Sequence, residues 1–294
     1  MKKYILFYTF MALVLSISFI SCEQDELDPT SVIKDSQREE NKFDIWIAKY
    51  YMAPYNIDLK YRMEDIESDM NYYLVPADYN QSIRLAKLMK FLCLEAYDEV
   101  TGSKRFIHDN YPKLIHLVGS AAYRNNGTMV LGTAEGGLKI TIYYVNALQL
   151  NLTFLNTYYF KTMHHEFTHI LNQTKPYTTD FDMISGIDYV NDSWNSAYNE
   201  TTCLQAGFIS PYASSESRED FAELLSIYVT STQAEWQQKL TTAGAAGREP
   251  IQQKFEIVYN YMRDLWDIDL DELRSVVQRR QGEISTLDLD NLED

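Results

Sequence analysis

Basic residues are scarce in this chain of 294 residues. It contains 26 lysines and arginines against 42 aspartates and glutamates, and its formal net charge is −16 at pH 7. A surplus of negative charge opposes binding to nucleic-acid phosphates, and no basic patch in the sequence offsets it. We therefore expect no nucleic-acid partner. Internal repeats and low-complexity tracts are also absent, and a hydrophobic content of 46% is enough for one sizeable globular domain.

Long apolar runs are missing too, except at the amino terminus. Residues 4–20 are apolar, follow two lysines and end just before Cys22, which is the pattern of a bacterial lipoprotein signal. We expect residues 1–21 to be a signal peptide and the thiol of Cys22 to be acylated. A plain secretory signal or an amino-terminal anchor helix is the alternative. No other stretch approaches the apolar length that spans a bilayer.

Cysteines are few, and only two remain after Cys22. Cys93 lies in an apolar run, where a small buried thiol is the ordinary interpretation. A disulfide between Cys93 and Cys203 would need an oxidising compartment and close approach of the two residues, and the sequence alone does not establish that approach.

The sequence does contain a His-Glu-x-x-His motif at residues 165–169. In a helix, residues four apart lie on one face, so His165 and His169 can bind the same metal ion. Glu166 would lie beside that metal, placed to take a proton from a water molecule, which is the chemistry of zinc peptidases. The alternative is an amphipathic helix whose histidines are surface groups. An apolar stripe supports the helix in both cases: Phe160, Met163, Phe167, Ile170 and Leu171.

A catalytic zinc site typically has three protein ligands, so a third ligand is needed. Residues 217–229 predict a second amphipathic helix, with Ser215 or Ser217 as its N-cap. Glu219 and Glu223 lie four apart on its polar face. We expect Glu219 to bind the metal and Glu223 to accept the free ring N–H of a ligand histidine. Two solvated glutamates on a surface helix would be the alternative.

The two motifs together resemble the gluzincin metallopeptidases, in particular the catalytic domain of anthrax lethal factor. In that group the first glutamate of the second motif is the third zinc ligand, and it corresponds to Glu219. A tyrosine seven residues earlier assists the transition state there, and the matching residue is Tyr212. The resemblance implies that Tyr212 stabilises the oxyanion of the attacked carbonyl. Otherwise Tyr212 is a loop aromatic that packs on the helix.

Much of the remaining chain resembles a Bacteroidetes family of zinc metallopeptidase lipoproteins associated with substrate import. Residues 54–57, residues 131–137 and the doubled histidine at 164–165 carry this resemblance. It implies a zinc cofactor and a peptide, protein or glycoprotein substrate. It also implies an outer-membrane nutrient-uptake complex as a partner.

The resemblance extends to the location of the protein. Residues 22–41 are polar and acidic, and we expect them to form a tether between the lipid at Cys22 and the folded domain. The acidic start of this segment resembles the surface-export signals of Bacteroidetes lipoproteins. We therefore expect an outer-membrane lipoprotein that faces outward.

The predicted fold class is α+β, and the resemblance implies a zincin-like domain over residues 42–294. Residues 42–173 would hold a small twisted mixed sheet and the motif helix, and residues 174–294 a mostly helical part with the third ligand. Strand patterns occur at residues 113–118, 128–131 and 138–144. We expect a glycine-rich turn to join the last two of these. We also expect residues 138–144, or their partner strand, to form an edge that pairs with substrate.

Three further expectations concern the surroundings of the motif helix. His164 points about 100° away from His165, so we expect it behind the metal ligands or at the surface. The long segment 177–211 is expected to form a wall of the substrate cleft. Helical spacing after residue 229 predicts more helices, with a break at Gly244 and Gly247.

These observations favour a zinc endo- or exopeptidase. The alternative is a non-catalytic surface lipoprotein that binds glycan, peptide or a transporter partner. The intact Glu166 favours the enzyme, because a binding protein has no need of a general base.

Overall fold

The computed structural model describes residues 39–64, 69, 71–124, 127–135 and 137–293. Residues 40–294 form one compact unit. The expected signal peptide, Cys22 and most of the expected tether lie outside the described residues. Within the described part of the chain, no helix is both long and apolar enough to cross a membrane.

A small mixed sheet contacts the motif helix. The strands are β1 (Asp58–Lys60), β2 (Leu114–Leu117), β3 (Ala122–Tyr123), β4 (Met129–Val130), β5 (Gly132–Glu135) and β6 (Lys139–Ile142). The order of the sheet is β1-β2-β6-β5, in which β1, β2 and β6 are mutually parallel and β5 runs antiparallel to β6. A separate two-stranded ribbon pairs β3 with β4. This mixture of sheet and helices confirms the predicted α+β class.

The expected glycine-rich turn is mostly a strand, which corrects the predicted connection. Gly132 pairs with Ile142 and Glu135 pairs with Lys139, so β5 and β6 form the hairpin. The turn itself lies at Gly137, where φ is 73° and a glycine avoids backbone strain. As a result β6 is an interior strand and β5 is an edge strand of the sheet, opposite β1. Residues 138–144 and their partner strand were the two candidates for an edge that pairs with substrate. Since β6 is interior, only the partner strand β5 has an edge that is open to such pairing.

Most of the remaining chain is helical, and three pairs of consecutive helices are joined by π-helical turns, at Ala48–Met52, Lys90–Leu94 and Asn156–Phe160. The last of these leads directly into the motif helix, and such turns are frequent near functional sites. The helices are α1 (Lys42–Ile47), α2 (Ala53–Tyr55), α3 (Tyr79–Met89), α4 (Glu95–Thr101), α5 (Arg105–Asn110), α6 (Leu152–Leu155), α7 (Lys161–Thr174), α8 (Asp180–Ile184), α9 (Trp194–Ala197), α10 (Thr202–Gln205), α11 (Ser217–Thr230), α12 (Gln233–Trp266) and α13 (Leu270–Gly282).

The two helices that carry the motifs pack against each other in the centre of the hydrophobic core. The apolar stripe of α7 is buried as predicted, with Phe167 fully covered, and Phe221 and Leu225 of α11 are covered in the same core. The predicted N-cap of α11 is wrong, because Glu216 occupies that position without a side-chain hydrogen bond. The hydroxyl of Ser215 donates instead to the carbonyl oxygen of Tyr212 at 2.7 Å.

The two internal cysteines do not form a disulfide. Cys93 and Cys203 are both buried and free. Burial raises the pKa of both thiols, that of Cys203 to about 12, so both are protonated at neutral pH.

Two glycines shape the long helix α12 in different ways. Gly244 has a left-handed φ of 67° and kinks the helix, as the predicted break requires. Gly247 is helical, so the predicted break at this residue is wrong. It packs so tightly on α10 that a Cβ atom there would overlap the carbonyl oxygen of Leu204. The close approach holds the segment before Tyr212 against the helical half of the protein.

We therefore predict that Gly247→Ala lowers the free energy of unfolding by about 1–3 kcal/mol, because the added methyl group must push two backbones apart. Urea denaturation followed by circular dichroism measures the change. Gly282→Ala, at the end of α13 with open space around its Cα atom, is the matched control and should be neutral or slightly stabilising. Equal stability of the two variants would contradict the packing argument.

Candidate metal centre

The polar face of α7 and the first turn of α11 converge on one point. His165 and His169 lie one turn apart on α7, and Glu219 approaches them from α11, 54 residues after His165. His165 Nε2 lies 2.8 Å from Glu219 Oε2, His169 Nε2 lies 3.3 Å from the same oxygen, and the two Nε2 atoms are 3.1 Å apart. Packing of the two helices thus brings the three sequence-predicted ligands together.

This triangle of atoms fits a tetrahedral metal ion. Zinc bonds histidine nitrogen and carboxylate oxygen at about 2.0–2.2 Å, so its ligand atoms lie about 3.3 Å from one another. The three observed separations, 2.8 to 3.3 Å, are close to that value. Two imidazoles and one carboxylate are also a common donor set for a catalytic metal. His165, His169 and Glu219 could therefore hold one.

A second layer of polar groups holds the ring of His165 from behind. Glu223 Oε1 lies 3.0 Å from His165 Nδ1, as an ion-pair contact and not a linear hydrogen bond. Glu223 is only 1% exposed. It accepts hydrogen bonds from Lys161 Nζ at 3.0 and 3.2 Å and from Ser210 Oγ at 2.5 Å. Such partners orient a ligand histidine and select its tautomer.

The electrostatics of the three carboxylates near α7 favour a cation at this point. Burial lowers the pKa of His165, but Glu219 and Glu223 outweigh that effect and raise the pKa to about 10. Burial likewise acts to raise the pKa of Glu219, yet His165 and His169 hold that pKa well below its usual range. The pKa of Glu223 is lowered against burial by Lys161 and His165. In the metal-free protein, a proton on His165 supplies part of the positive charge.

Glu166 and Tyr212 face the same cavity beside His165. This cavity, the His165 cavity, has a volume of about 270 Å³. Tyr212 lies in a 3₁₀ turn (Tyr212–Ser214), and its ring centroid is 5.9 Å from that of His165. Burial and the negative charge of Glu219 raise the pKa of Tyr212, so the phenol keeps its proton and can donate it in a hydrogen bond. The cavity places Glu166 and Tyr212 near the metal-ligand triangle.

The long segment before Tyr212 holds its turn in place. Backbone N–H groups of Val190 and Asn191 donate to the carbonyl oxygens of Ser214 and Ser215 at 2.8 and 3.1 Å. Trp194 packs edge-on against Tyr212 at 5.1 Å between ring centroids. Trp194 also lines the His165 cavity, so part of segment 177–211 walls the cleft, as its length predicted.

A buried ion pair next to Glu219 anchors the same segment from below. Asp220, the neighbour of Glu219, turns away from the metal ligands and accepts a hydrogen bond from Lys254 Nζ at 2.5 Å, with both side chains fully buried. Tyr189 donates to the same carboxylate oxygen at 3.0 Å. The contact joins α11, α12 and the cleft wall, and it fixes the rotation of α11 that points Glu219 at the histidines.

Some groups at the site were not identified from the sequence. Lys161 lies four residues before His165, so helical spacing alone places it on the metal face, and this was the available signal. Ser210 and Arg124 lie in loops, and no spacing in the sequence indicates that they belong to the site. His164 is fully buried and not at the surface. Its Nδ1 atom lies 3.0 Å from the hydroxyl oxygen of Tyr97. Burial lowers the pKa of His164 to about 4, so it is a neutral core residue.

A mixed α+β fold that presents two histidines and a glutamate to one point defines a candidate metal-dependent protein. The chain belongs to the family described as putative zinc-binding metallo-peptidase, whose model matches residues 35–271. It is also similar to the crystal structure of a putative zinc-binding metallo-peptidase from Bacteroides caccae. The two are 47% identical, with a TM-score of 0.75, over 89% of this chain and 100% of the other. No match was found among curated proteins.

The raised pKa of His165 leads to a prediction about metal binding. At pH 7.5 its ring carries a proton in the metal-free protein, because its pKa is about 10, whereas a metal ligand must be neutral. Binding of Zn²⁺ should therefore release about one proton from His165, and this release should disappear as the pH rises beyond about 10. Calorimetric titrations in buffers of different ionisation enthalpy measure the number. Binding without proton release at pH 7.5 would contradict the assigned charge state.

Proposed function

We propose that the protein is a zinc-dependent peptidase that hydrolyses peptide bonds in peptides, proteins or glycoproteins. The observation that carries the proposal is the triangle of His165, His169 and Glu219 beside a cavity that also contains Glu166 and Tyr212. Zinc held by the three ligands would supply a Lewis acid that lowers the pKa of a water molecule. The fit of the donor set and the membership of the family support this choice of metal.

The remaining chemistry belongs to the side chains around the ligands. Glu166 takes a proton from the attacking water and returns it to the amine that leaves. Tyr212, kept protonated by burial, donates a hydrogen bond to the oxygen of the attacked carbonyl as negative charge develops there. Glu223, with Lys161 and Ser210, keeps the imidazole of His165 in one orientation.

The edge strand β5 provides a place for the substrate backbone. Gly132, at its start, lies against Thr162 of α7, and Gly137, just beyond its end, lies against Gln173. The strand therefore follows α7 past the metal ligands. An extended peptide that pairs with β5 antiparallel, the more stable arrangement, runs from the Gln173 end to the Thr162 end. Residues after the cleaved bond would then enter the His165 cavity.

We predict that Glu166→Gln keeps zinc binding but lowers peptide hydrolysis on the order of 10²–10⁴-fold, because the amide cannot accept the proton. Zinc content by elemental analysis and turnover of a peptide library measure the two effects. Glu249→Gln serves as the control, because it removes the same negative charge at an exposed position of α12. Equal hydrolysis by Glu166→Gln and the control would reject the mechanism, and a wild-type protein without any hydrolysis would favour a binding role.

We propose further that the enzyme is a lipoprotein of the outer membrane and that it serves nutrient uptake at the cell surface. The apolar residues 4–20, the cysteine that follows them and the acidic residues 23–28 support this location. Attachment would occur through a lipid on Cys22, and an uptake complex would receive the released peptides.

For the location, we predict that Cys22→Ala releases the protein from membranes and leaves its zinc content unchanged, because the compact unit that holds the metal ligands, residues 40–294, does not include Cys22. Cell fractionation followed by immunoblotting measures the release. Protease treatment of intact cells should degrade the wild-type protein if it faces outward. Membrane attachment of Cys22→Ala would disprove the lipid anchor, and full protection of the wild type would place the enzyme on the periplasmic face.

A further inference from the structure

The His165 cavity continues away from the metal ligands into a larger cavity. This neighbour, the Thr230 cavity, has a volume of about 500 Å³. Leu131, Lys161, Glu200 and Ser210 line both cavities, so they surround the junction between them. A substrate side chain that enters beside Glu166 can therefore extend to this junction if it is long.

The charges at the junction do not balance. Lys161 is paired with Glu223, since its Nζ atom lies 3.0 and 3.2 Å from the two carboxylate oxygens of Glu223. Glu200 is exposed, and among the residues that the structure describes no basic side chain lies within ion-pair distance of its carboxylate. Lys239 lines the Thr230 cavity together with Glu200, and the two side chains form no ion pair. The junction therefore presents one uncompensated carboxylate to the cleft.

The walls that lead to Glu200 suit an aliphatic stem. Trp194 lines the His165 cavity, and Leu131 lines it at the junction. Long basic side chains pack their methylene groups on apolar surfaces and keep the charged end in a polar place. Arg124, the other basic residue of this cavity, interacts with Tyr212 and does not line the Thr230 cavity. A long cation that enters the His165 cavity can thus reach Glu200, which lines both cavities.

We infer that Glu200 determines specificity, and that the enzyme prefers lysine or arginine immediately after the cleaved bond. This inference rests on the proposed peptidase function and on antiparallel pairing with β5, which directs that residue into the His165 cavity. The net charge of −16 also favours the approach of basic peptides. Glu200 contacts neither the metal ligands nor the reacting atoms, so its effect is on the choice of substrate.

Cleavage of a matched peptide series tests the inference. Acetylated alanine-based octapeptides with lysine, glutamine or glutamate at one position are incubated with the zinc-loaded full-length protein, and mass spectrometry locates each cut. For the wild type, kcat/KM should be about tenfold higher with lysine than with glutamine after the cut. The ratio should fall to about one in Glu200→Gln and should favour glutamate in Glu200→Lys. Glu249→Gln should keep the wild-type ratio.

Two results would overturn the inference. One is an unchanged lysine preference in Glu200→Gln, and the other is a basic residue consistently before the cut. Binding of the same peptides to Glu166→Gln, measured by fluorescence anisotropy, separates this inference from the peptidase proposal. Tighter binding of the lysine peptide that is lost in the Glu166→Gln, Glu200→Gln double variant would support Glu200 even if no hydrolysis occurs. Equal binding of all peptides would overturn it.

Discussion

The packing of α7 against α11 is the contact on which the whole site depends. Each helix alone carries an incomplete set of ligands, and only their shared apolar interface brings Glu219 to within 2.8 Å of His165. The same interface buries Glu223 behind the His165 ring. A rotation of α11 by one residue would present Asp220 instead, and the buried pair of Asp220 with Lys254 opposes that rotation. Hydrophobic packing therefore sets the distance between the helices, and a buried ion pair sets their register.

Concentrated negative charge is the second constraint. Glu166, Glu219 and Glu223 all lie near the two histidines, and Lys161 of α7 pairs with Glu223. Buried carboxylates are costly unless they are paired and hydrogen bonded. In the metal-free protein, the raised pKa of His165 shows how the site meets this cost with a proton. A divalent cation would meet it better, since it interacts with both histidines and with Glu219 at once. Charge and geometry thus point to the same occupant.

Much of the fold and of the ligand set could be predicted from local pattern, and the failures share one cause. Periodicity located α7, α11 and the strands β2 and β6, because each follows from the side chains of its own segment. Residues 132–135 were predicted as a turn because of their glycines, but pairing with β6 makes them a strand. Ser215 or Ser217 is the N-cap that the sequence predicts for α11, but Glu216 occupies that position and the hydroxyl of Ser215 donates to the carbonyl oxygen of Tyr212. In each case a partner distant in sequence or a competing local hydrogen bond decided the outcome.

The sequence by itself determined the chemistry that the site can offer. The spacing of His165, Glu166 and His169 places two imidazoles and a carboxylate on one helical turn, since helix geometry needs no other part of the chain. Only the tertiary structure decided which groups join them. It selected Glu219 over Asp220 and brought Lys161 and Ser210 into hydrogen-bonding contact with Glu223. It also made β5 an edge strand and placed Glu200 in the lining of the His165 cavity. These choices depend on the packing of segments far apart in the chain, which local spacing does not encode.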